Sequence, residues 1–446
     1  MKTILVIGAG RSSSTMIRYL LDKSEEMKWK VRVGDMDLSL AQKKINGHPN
    51  GEAFLFNALN PEERKKEISA AGFVISMLPA IHHIEVAKDC ISLKKNVVTP
   101  SYITPAMKAL DEEAKRAGII ILNEIGVDPG IDHLSAKKII DEIHQKGGKF
   151  ESFESYCGGL VAPESDNNPW GYKFSWNPRN VVLAGQGGSA KFIRKGQLKY
   201  IPYHKLFSRT ENISIEKYGD FEGYANRDSL SYRDVYDMEN IPTLLRGTLR
   251  KKGFCEAWNA FVQLGCTDDS FVMEGSENMT WRDYLNSFLD FHSSHTVEEK
   301  LCSYLGISSG SEIFEKIKWL GLFEKEKTGM KNATPAQLLQ KKLEEKWKLE
   351  EGDKDMIVMF HRFICEMENK KQELTSSMVY TGKDEVYTAM SDTVGLPVAI
   401  CTKFILEGKI TEKGVCLPLA KNIYEPVLKE LEGFGIRFNE KVREIK

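Results

Sequence analysis

The sequence predicts an α/β protein: a Rossmann-type, doubly wound parallel sheet joined to a mixed α/β domain with a helical insertion. Three observations lead there. Four apolar residues, Ile4 to Ile7, run straight into Gly8-Ala9-Gly10, and an apolar stripe at Met16, Ile17 and Leu20 marks a following helix. The next strand candidate, Lys30 to Gly34, ends in Asp35, near the roughly 20-residue spacing at which an acid meets a ribose hydroxyl. Beyond it, apolar strands alternate with helices, which implies a parallel sheet covered on both faces.

The first strand, turn and helix form a site for a pyrophosphate. Gly8 permits the tight turn, Gly10 lets the backbone approach the phosphates, and Ser13 is a small residue at the third glycine position. Further strands are expected at Phe54 to Phe56, Phe73 to Leu78, Asn96 to Thr99 and Gly118 to Leu122, six in all. A helix precedes the last of these, with Thr104 as N-cap, Pro105 at its first position, a stripe at Met107, Leu110 and Ala114, and Gly118 as stop. Ligands of such a fold lie beyond the strand C-termini, which points to Leu78-Pro79, Pro100-Ser101-Tyr102 and Glu124 to His133.

From about Lys149 the pattern changes to alternation, with strand-like pieces near 190–193, 198–201 and 213–215. A long hairpin is expected where two alternating runs flank Asn369-Lys370-Lys371. The stretch between is helix-rich, with Trp281, Leu285, Phe288 and Leu289 at helical spacing. The expected domains are a dinucleotide-binding domain at 1–130, completed by 391–446, a mixed domain at 131–252 and 353–390, and a helical domain at 253–352.

Composition narrows the class. A chain of 446 residues, 41% apolar, has room for two or three domains with full cores. A net charge of −1 provides no electrostatic footprint for nucleic acid. No apolar run approaches the ~20 residues of a membrane span, and the N-terminus enters the first strand without a signal peptide. Eight cysteines without CxxC pairs or histidines at metal spacing read as reduced thiols, with no metal site. The expectation is a cytoplasmic enzyme with no membrane or nucleic-acid partner.

Several polar clusters stand out, each beside a plainer explanation. Asn123 to His133 (NEIGVDPGIDH) is either a site loop or a turn into a helix capped by Asp132. SYCGG, Ser155 to Gly159, ends a strand in a thiol whose default role is packing. Aromatics gather in PWGYKFSW, Pro169 to Trp176, where core packing competes with a site. NRDS at 226–229 and LRGTLR at 245–250 place arginines beside turn formers; surface arginines are the ordinary explanation, although a guanidinium fork is what a carboxylate demands.

Taken together, TPSYITPAM, NEIGVDPGIDH, SYCGGLVAPES, NPWGYKFSW, YANRDS and LLRGTLR resemble the saccharopine dehydrogenases of the L-glutamate-forming kind, in family order over nearly the whole chain. The resemblance implies interconversion of saccharopine with glutamate and 2-aminoadipate 6-semialdehyde, using NAD or NADP, in a homodimer whose mixed α/β domain is the substrate-binding and dimerisation domain. It also implies roles. Gly8, Gly10, Arg11, Ser12, Ser13, Asp35, Met36, Asp37, Asn57, Ala58, Leu78, Pro79, Ser101, Val127 and Asn177 are implied for the cofactor. Ser101, Tyr102, Asp128, Arg227, Arg246, Gly247 and Thr248 are implied for saccharopine.

The residues suit that chemistry. Hydride removal beside a secondary amine, then hydrolysis of the imine, needs a nicotinamide, clamps for three carboxylates and a proton-transfer group. Arg227 and Arg246 are the clamps; Asp128, Cys157 and Tyr102 are the proton-transfer candidates, with Asp128 first. Fungal NADP-using members place an arginine after the second strand, where this chain has Asp35-Met36-Asp37. An aspartate there accepts from a ribose hydroxyl and repels a phosphate, so NAD and the lysine-degrading direction are expected. The alternatives are an NADP-dependent saccharopine reductase of lysine biosynthesis, a dehydrogenase of another amino-acid or polyamine conjugate, and a non-catalytic NAD-binding protein.

Overall fold

The computed structural model describes residues 2–445, which divide into two compact units. The first holds residues up to Lys149 together with Met378–Glu440; the second holds Phe150–Ser377 and the residues after Glu440. The helices between 254 and 346 belong to the second unit.

The first unit is built on a parallel sheet whose strands lie in the order Gly414–Cys416, Ile120–Leu122, Val97–Val98, Phe73–Ser76, Lys2–Ile7, Trp29–Asp35 and Gly51–Leu55. Ile4 to Ile7 are fully buried because helices cover both faces of this central strand. The strand order reverses between Lys2–Ile7 and Phe73–Ser76, and ligands of doubly wound sheets bind at that reversal. Six strands are legible in the sequence; the seventh, Gly414–Cys416, is three residues long and too short to show a period. The expected helix from Pro105 is two helices, Pro105–Lys108 and Asp111–Ala117, with the Thr104 hydroxyl accepting from the Met107 N–H at 3.1 Å. Gly118 then ends the second in the left-handed conformation.

Helix Ala389–Leu406 packs on helix Ser14–Asp22. At Gly395 a Cβ would lie 2.9 Å from the Met16 backbone nitrogen, so glycine sets the closeness of the two helices. By length and composition Ala389–Leu406 could cross a membrane, contrary to the reading that no run approaches a span; 78% of it is buried in this core. Ser391, Asp392, Thr393 and Thr402 break up its apolar run, and all four are buried.

A mixed nine-stranded sheet organises the second unit. Its main path runs Glu211–Ile215, Gly219–Ala225, Thr243–Lys251, Lys149–Val161, Asp355–Met367, Lys370–Thr381 and Asn439–Glu444. Ala190–Arg194 and Gln197–Ile201 branch from Thr243–Lys251. The hairpin turns at Glu368 and Asn369, both left-handed. LRGTLR lies within strand Thr243–Lys251, so its arginines are not surface charges beside a turn: Arg246 and Arg250 are 2% and 4% exposed. PWGYKFSW is core. Trp170, Tyr172 and Phe174 are buried, and Trp170 stacks on Phe261 with ring centroids 5.6 Å apart.

Candidate active site

In the first unit, Gly8 leaves the central strand at φ +103°, and a Cβ there would sit 3.2 Å from the Met77 carbonyl oxygen. Glycine is required on both counts. Gly10 precedes a short turn, Arg11–Ser13, that leads into helix Ser14–Asp22; a Cβ on Gly10 would meet nothing within 4 Å. Arg11 is exposed and Ser12 half-buried, whereas the Ser13 hydroxyl turns back to donate to the Gly10 carbonyl at 2.8 Å. The ammonium of Lys44, its pKa lowered by burial, bonds the Ser14 hydroxyl beside this loop. Open space at the glycine, a helix start and a nearby ammonium fit a phosphate-bearing dinucleotide.

The acids after the second strand are occupied. Asp35 accepts from the Ala9 N–H at 2.6 Å through one oxygen and from the Asp37 N–H at 2.8 Å through the other. Asp37 caps helix Leu38–Ile45, accepting from the Ser39 N–H at 2.9 Å and its hydroxyl at 2.7 Å, and these bonds lower its pKa. Met36 between them is 68% exposed. Asn57 and Ala58 brace their own loop, accepting from the Leu59 N–H and the Arg64 guanidinium. Half-buried Leu78 and exposed Pro79 follow the fourth strand, and Val127 is buried.

Ser101 and Tyr102 follow strand Val97–Val98 and rest on His83, which sequence reasoning did not single out, and on Glu124 of the loop it did. His83, 4% exposed, sets its Nε2 2.7 Å from the Ser101 hydroxyl and 3.1 Å from that of Thr99; its Nδ1 lies 2.8 Å from the Ser76 hydroxyl. Burial drives its pKa down to about 4, so the ring is neutral at pH 7. Buried Glu124 takes the Ile103 N–H at 2.8 Å and lies 2.8 Å from His133 Nε2, while its own N–H donates to the Ser101 carbonyl at 3.1 Å. The loop 101–103 is thereby held from both sides. Against this frame Tyr102 donates its hydroxyl to Asp128 at 3.2 Å, the one pair of proton-transfer candidates that the unit brings together.

The turn behind Asp128 is built by glycine. A Cβ on Gly130 (φ +148°) would lie 2.0 Å from the Gly126 carbonyl oxygen. Gly130, not Asp132, stands at the N-cap of helix Ile131–Gln145; Asp132 is the second residue of its first turn, and its carboxylate accepts from the Gly130 N–H at 2.6 Å.

The second unit presents a polar sheet face. Arg246, Thr248 and Arg250 alternate onto one side of Thr243–Lys251. Register sets Ser155 beside Arg246, and Cys157 and Tyr224 beside Thr248. Gly247 faces the other way, where a Cβ would be 2.6 Å from the Tyr156 ring. The Arg246 guanidinium lies over the Tyr232 ring at 4.0 Å, and the Thr248 hydroxyl donates to Asn226 at 2.7 Å. Arg227 follows the neighbouring strand. Its Nη2 donates to the carbonyls of Ala184, at 2.9 Å, and Gln186, while Nη1 is buried with no acceptor. Asn177, exposed, caps helix Pro178–Leu183 with its side chain. Among the described residues no group of three histidine, cysteine or acidic side chains could hold a metal ion.

Two family descriptions match this chain: the saccharopine dehydrogenase NADP binding domain over residues 4–122 and the saccharopine dehydrogenase C-terminal domain over 126–436. The chain belongs to the saccharopine dehydrogenase family. The NADP(+)-dependent, L-glutamate-forming saccharopine dehydrogenases of Schizosaccharomyces pombe and Saccharomyces cerevisiae are each 36% identical to it over 99% of both chains. It also matches the mitochondrial alpha-aminoadipic semialdehyde synthase of Bos taurus, 35% identical over 98% of this chain and 47% of that protein. The apo structure of the L-Glu-forming saccharopine dehydrogenase of Saccharomyces cerevisiae superimposes with a TM-score of 0.88, covering 99% of this chain and 100% of that one. A homospermidine synthase from Legionella pneumophila, 9% identical with a TM-score of 0.53, covers 99% of this chain and 91% of its own and shares the fold.

These relatives overturn the cofactor expectation. The fungal saccharopine dehydrogenases are named for NADP(+), and the matched N-terminal description is of an NADP binding domain. Selection of NAD requires an Asp35 carboxylate free to face the ribose. Both its oxygens instead brace the glycine loop and the start of the next helix, and Asp37 is spent on its cap.

Proposed function

We propose that this chain is an NADP-dependent saccharopine dehydrogenase of the L-glutamate-forming kind. The observation that carries the reading is its end-to-end likeness, at 36% identity, to enzymes of that name. In the first unit, Gly8, Gly10 and the turn Arg11–Ser13 hold the cofactor's phosphates, with Lys44 adding positive charge. Bound there, NADP would supply the acceptor for a hydride from the carbon beside saccharopine's secondary amine. Asp128 accepts the amine proton, oriented by the Tyr102 hydroxyl, and water then splits the imine into glutamate and 2-aminoadipate 6-semialdehyde. In the second unit, Arg227 and Arg246 take carboxylates and Thr248 adds a hydroxyl donor.

The degradative direction rested on NAD and is withdrawn with it. The proposal includes a homodimer and a cytoplasmic location. Purified protein supplied with saccharopine and NADP is expected to form NADPH together with one glutamate per turnover, identified by mass spectrometry. Absence of saccharopine-dependent NADPH, or faster turnover of a carboxylated polyamine in the same assay, contradicts the reading.

A further inference from the structure

We propose that Arg250 is a third carboxylate-binding cation on the polar sheet face, an inference that rests on the functional reading above. The side chain is 4% exposed, and among the described residues no carboxylate pairs with it. Its Nη1 donates to the Leu249 carbonyl at 2.9 Å, and its Nε is buried with no acceptor. The acid in register with it, Glu222, is already engaged: its two oxygens accept the N–H groups of Gly253 at 2.8 Å and Cys255 at 3.0 Å, at the start of helix Phe254–Leu264.

Aromatic rings surround the guanidinium instead. The centroids of Tyr172, Phe254 and Tyr224 lie 5.2, 5.5 and 5.8 Å from it. Such rings ease the burial of a cation and provide no counter-charge. Elsewhere the fold does provide one. Arg64, equally buried, meets Asp89 at 2.6 Å, and buried Lys173 meets Asp353. A buried cation left unpaired is costly, and a ligand that brings the missing charge is held correspondingly well.

The neighbours say which anion fits. Arg250 stands two residues beyond Thr248 on the same face, roughly 7 Å along the strand. Thr248 itself is partly exposed, with Cys157 beside it in register. Saccharopine carries three carboxylates, and Arg227 and Arg246 answer to two. A substrate lying along this strand over Thr248 brings its next carboxylate to Arg250, whose Nε–H can donate to it.

Arg250→Gln and Arg250→Lys test this, with saccharopine KM, kcat and the NADP KM measured for each. The glutamine variant is expected to raise the saccharopine KM by ~10²-fold while leaving the NADP KM unchanged. The lysine variant keeps the charge without the fork and is expected to fall between it and the parent. A rise below about threefold in every variant that folds, or a fall in kcat at constant KM, overturns the proposal and marks a structural arginine. Lysine decides alone where glutamine does not fold. Saccharopine's effect on the melting temperature, without cofactor, separates the two readings. A parent that is stabilised but does not turn over, with the shift lost in Arg250→Lys, refutes the enzyme assignment and keeps the carboxylate site. An equal shift in both refutes the site.

Discussion

Asp128 and Tyr102 carry the proposed proton transfer, and their 3.2 Å contact gives the first residue-scale prediction. Asp128→Asn keeps the shape and loses the base, so kcat falls by ~10²-fold or more while NADP affinity stays. Cys157→Ser is expected to cost less, since this buried thiol sits in a strand beside Thr248. A dead Cys157→Ser beside a healthy Asp128→Asn reverses the assignment. His83 makes a prediction about pH. Its pKa lies near 6.5 in the unfolded chain and about 4 in the fold, where burial disfavours the charge. Between those values the unfolded state binds the extra proton, so stability is complete above pH 6.5 and is lost as pH falls toward 4. The slope is up to about 1.4 kcal/mol per pH unit. His83→Gln removes the histidine's share, which melting curves from pH 7 to 4 would register; identical slopes in both proteins refute it. Asp128 and Tyr102 could be picked out from their loops and motif. His83 could not, nor could the bond that Glu124 of that motif makes to Ile103, because these contacts span 18 and 21 positions and no local pattern encodes them.

Among the elements, the meeting of helices Ser14–Asp22 and Ala389–Leu406 connects the tail to the Gly8–Ser13 loop. Gly395 faces the Met16 backbone and lies near the Ser12 carbonyl, where a Cβ would be 3.3 Å away. Gly395→Val overpacks this contact and is expected to cost ~1–3 kcal/mol, together with weaker NADP binding through displacement of Ser12. Thermal melts and a cofactor titration check it; a parent-like affinity in a destabilised variant separates the loop from the helix. Strands Lys2–Ile7 and Trp29–Asp35 were readable because their apolar runs end in glycine and an acid. Strand Thr243–Lys251 was hidden, since arginines at alternating positions look polar and Gly247 looks like a turn. Only the neighbouring strands and the rings of Tyr232, Tyr172 and Phe254 make that face buried.

For the molecule as a whole, fold class and family were legible from ordered motifs, whereas the cofactor was misjudged. A carboxylate at the end of the second strand is visible in sequence; that Ala9 and Asp37 claim its oxygens is visible only in the fold. The central proposal is that this chain oxidises saccharopine with NADP and that Arg227 takes one of the substrate's carboxylates. Its most direct test is kcat/KM for saccharopine with saturating NADP, measured in the parent and in Arg227→Met. The parent is expected to reduce NADP in a saccharopine-dependent way. The variant is expected to lose ~2–5 kcal/mol of substrate binding as a raised KM, with NADPH affinity intact. A parent inert toward saccharopine with NADP, or an Arg227→Met enzyme with an unchanged KM, contradicts it.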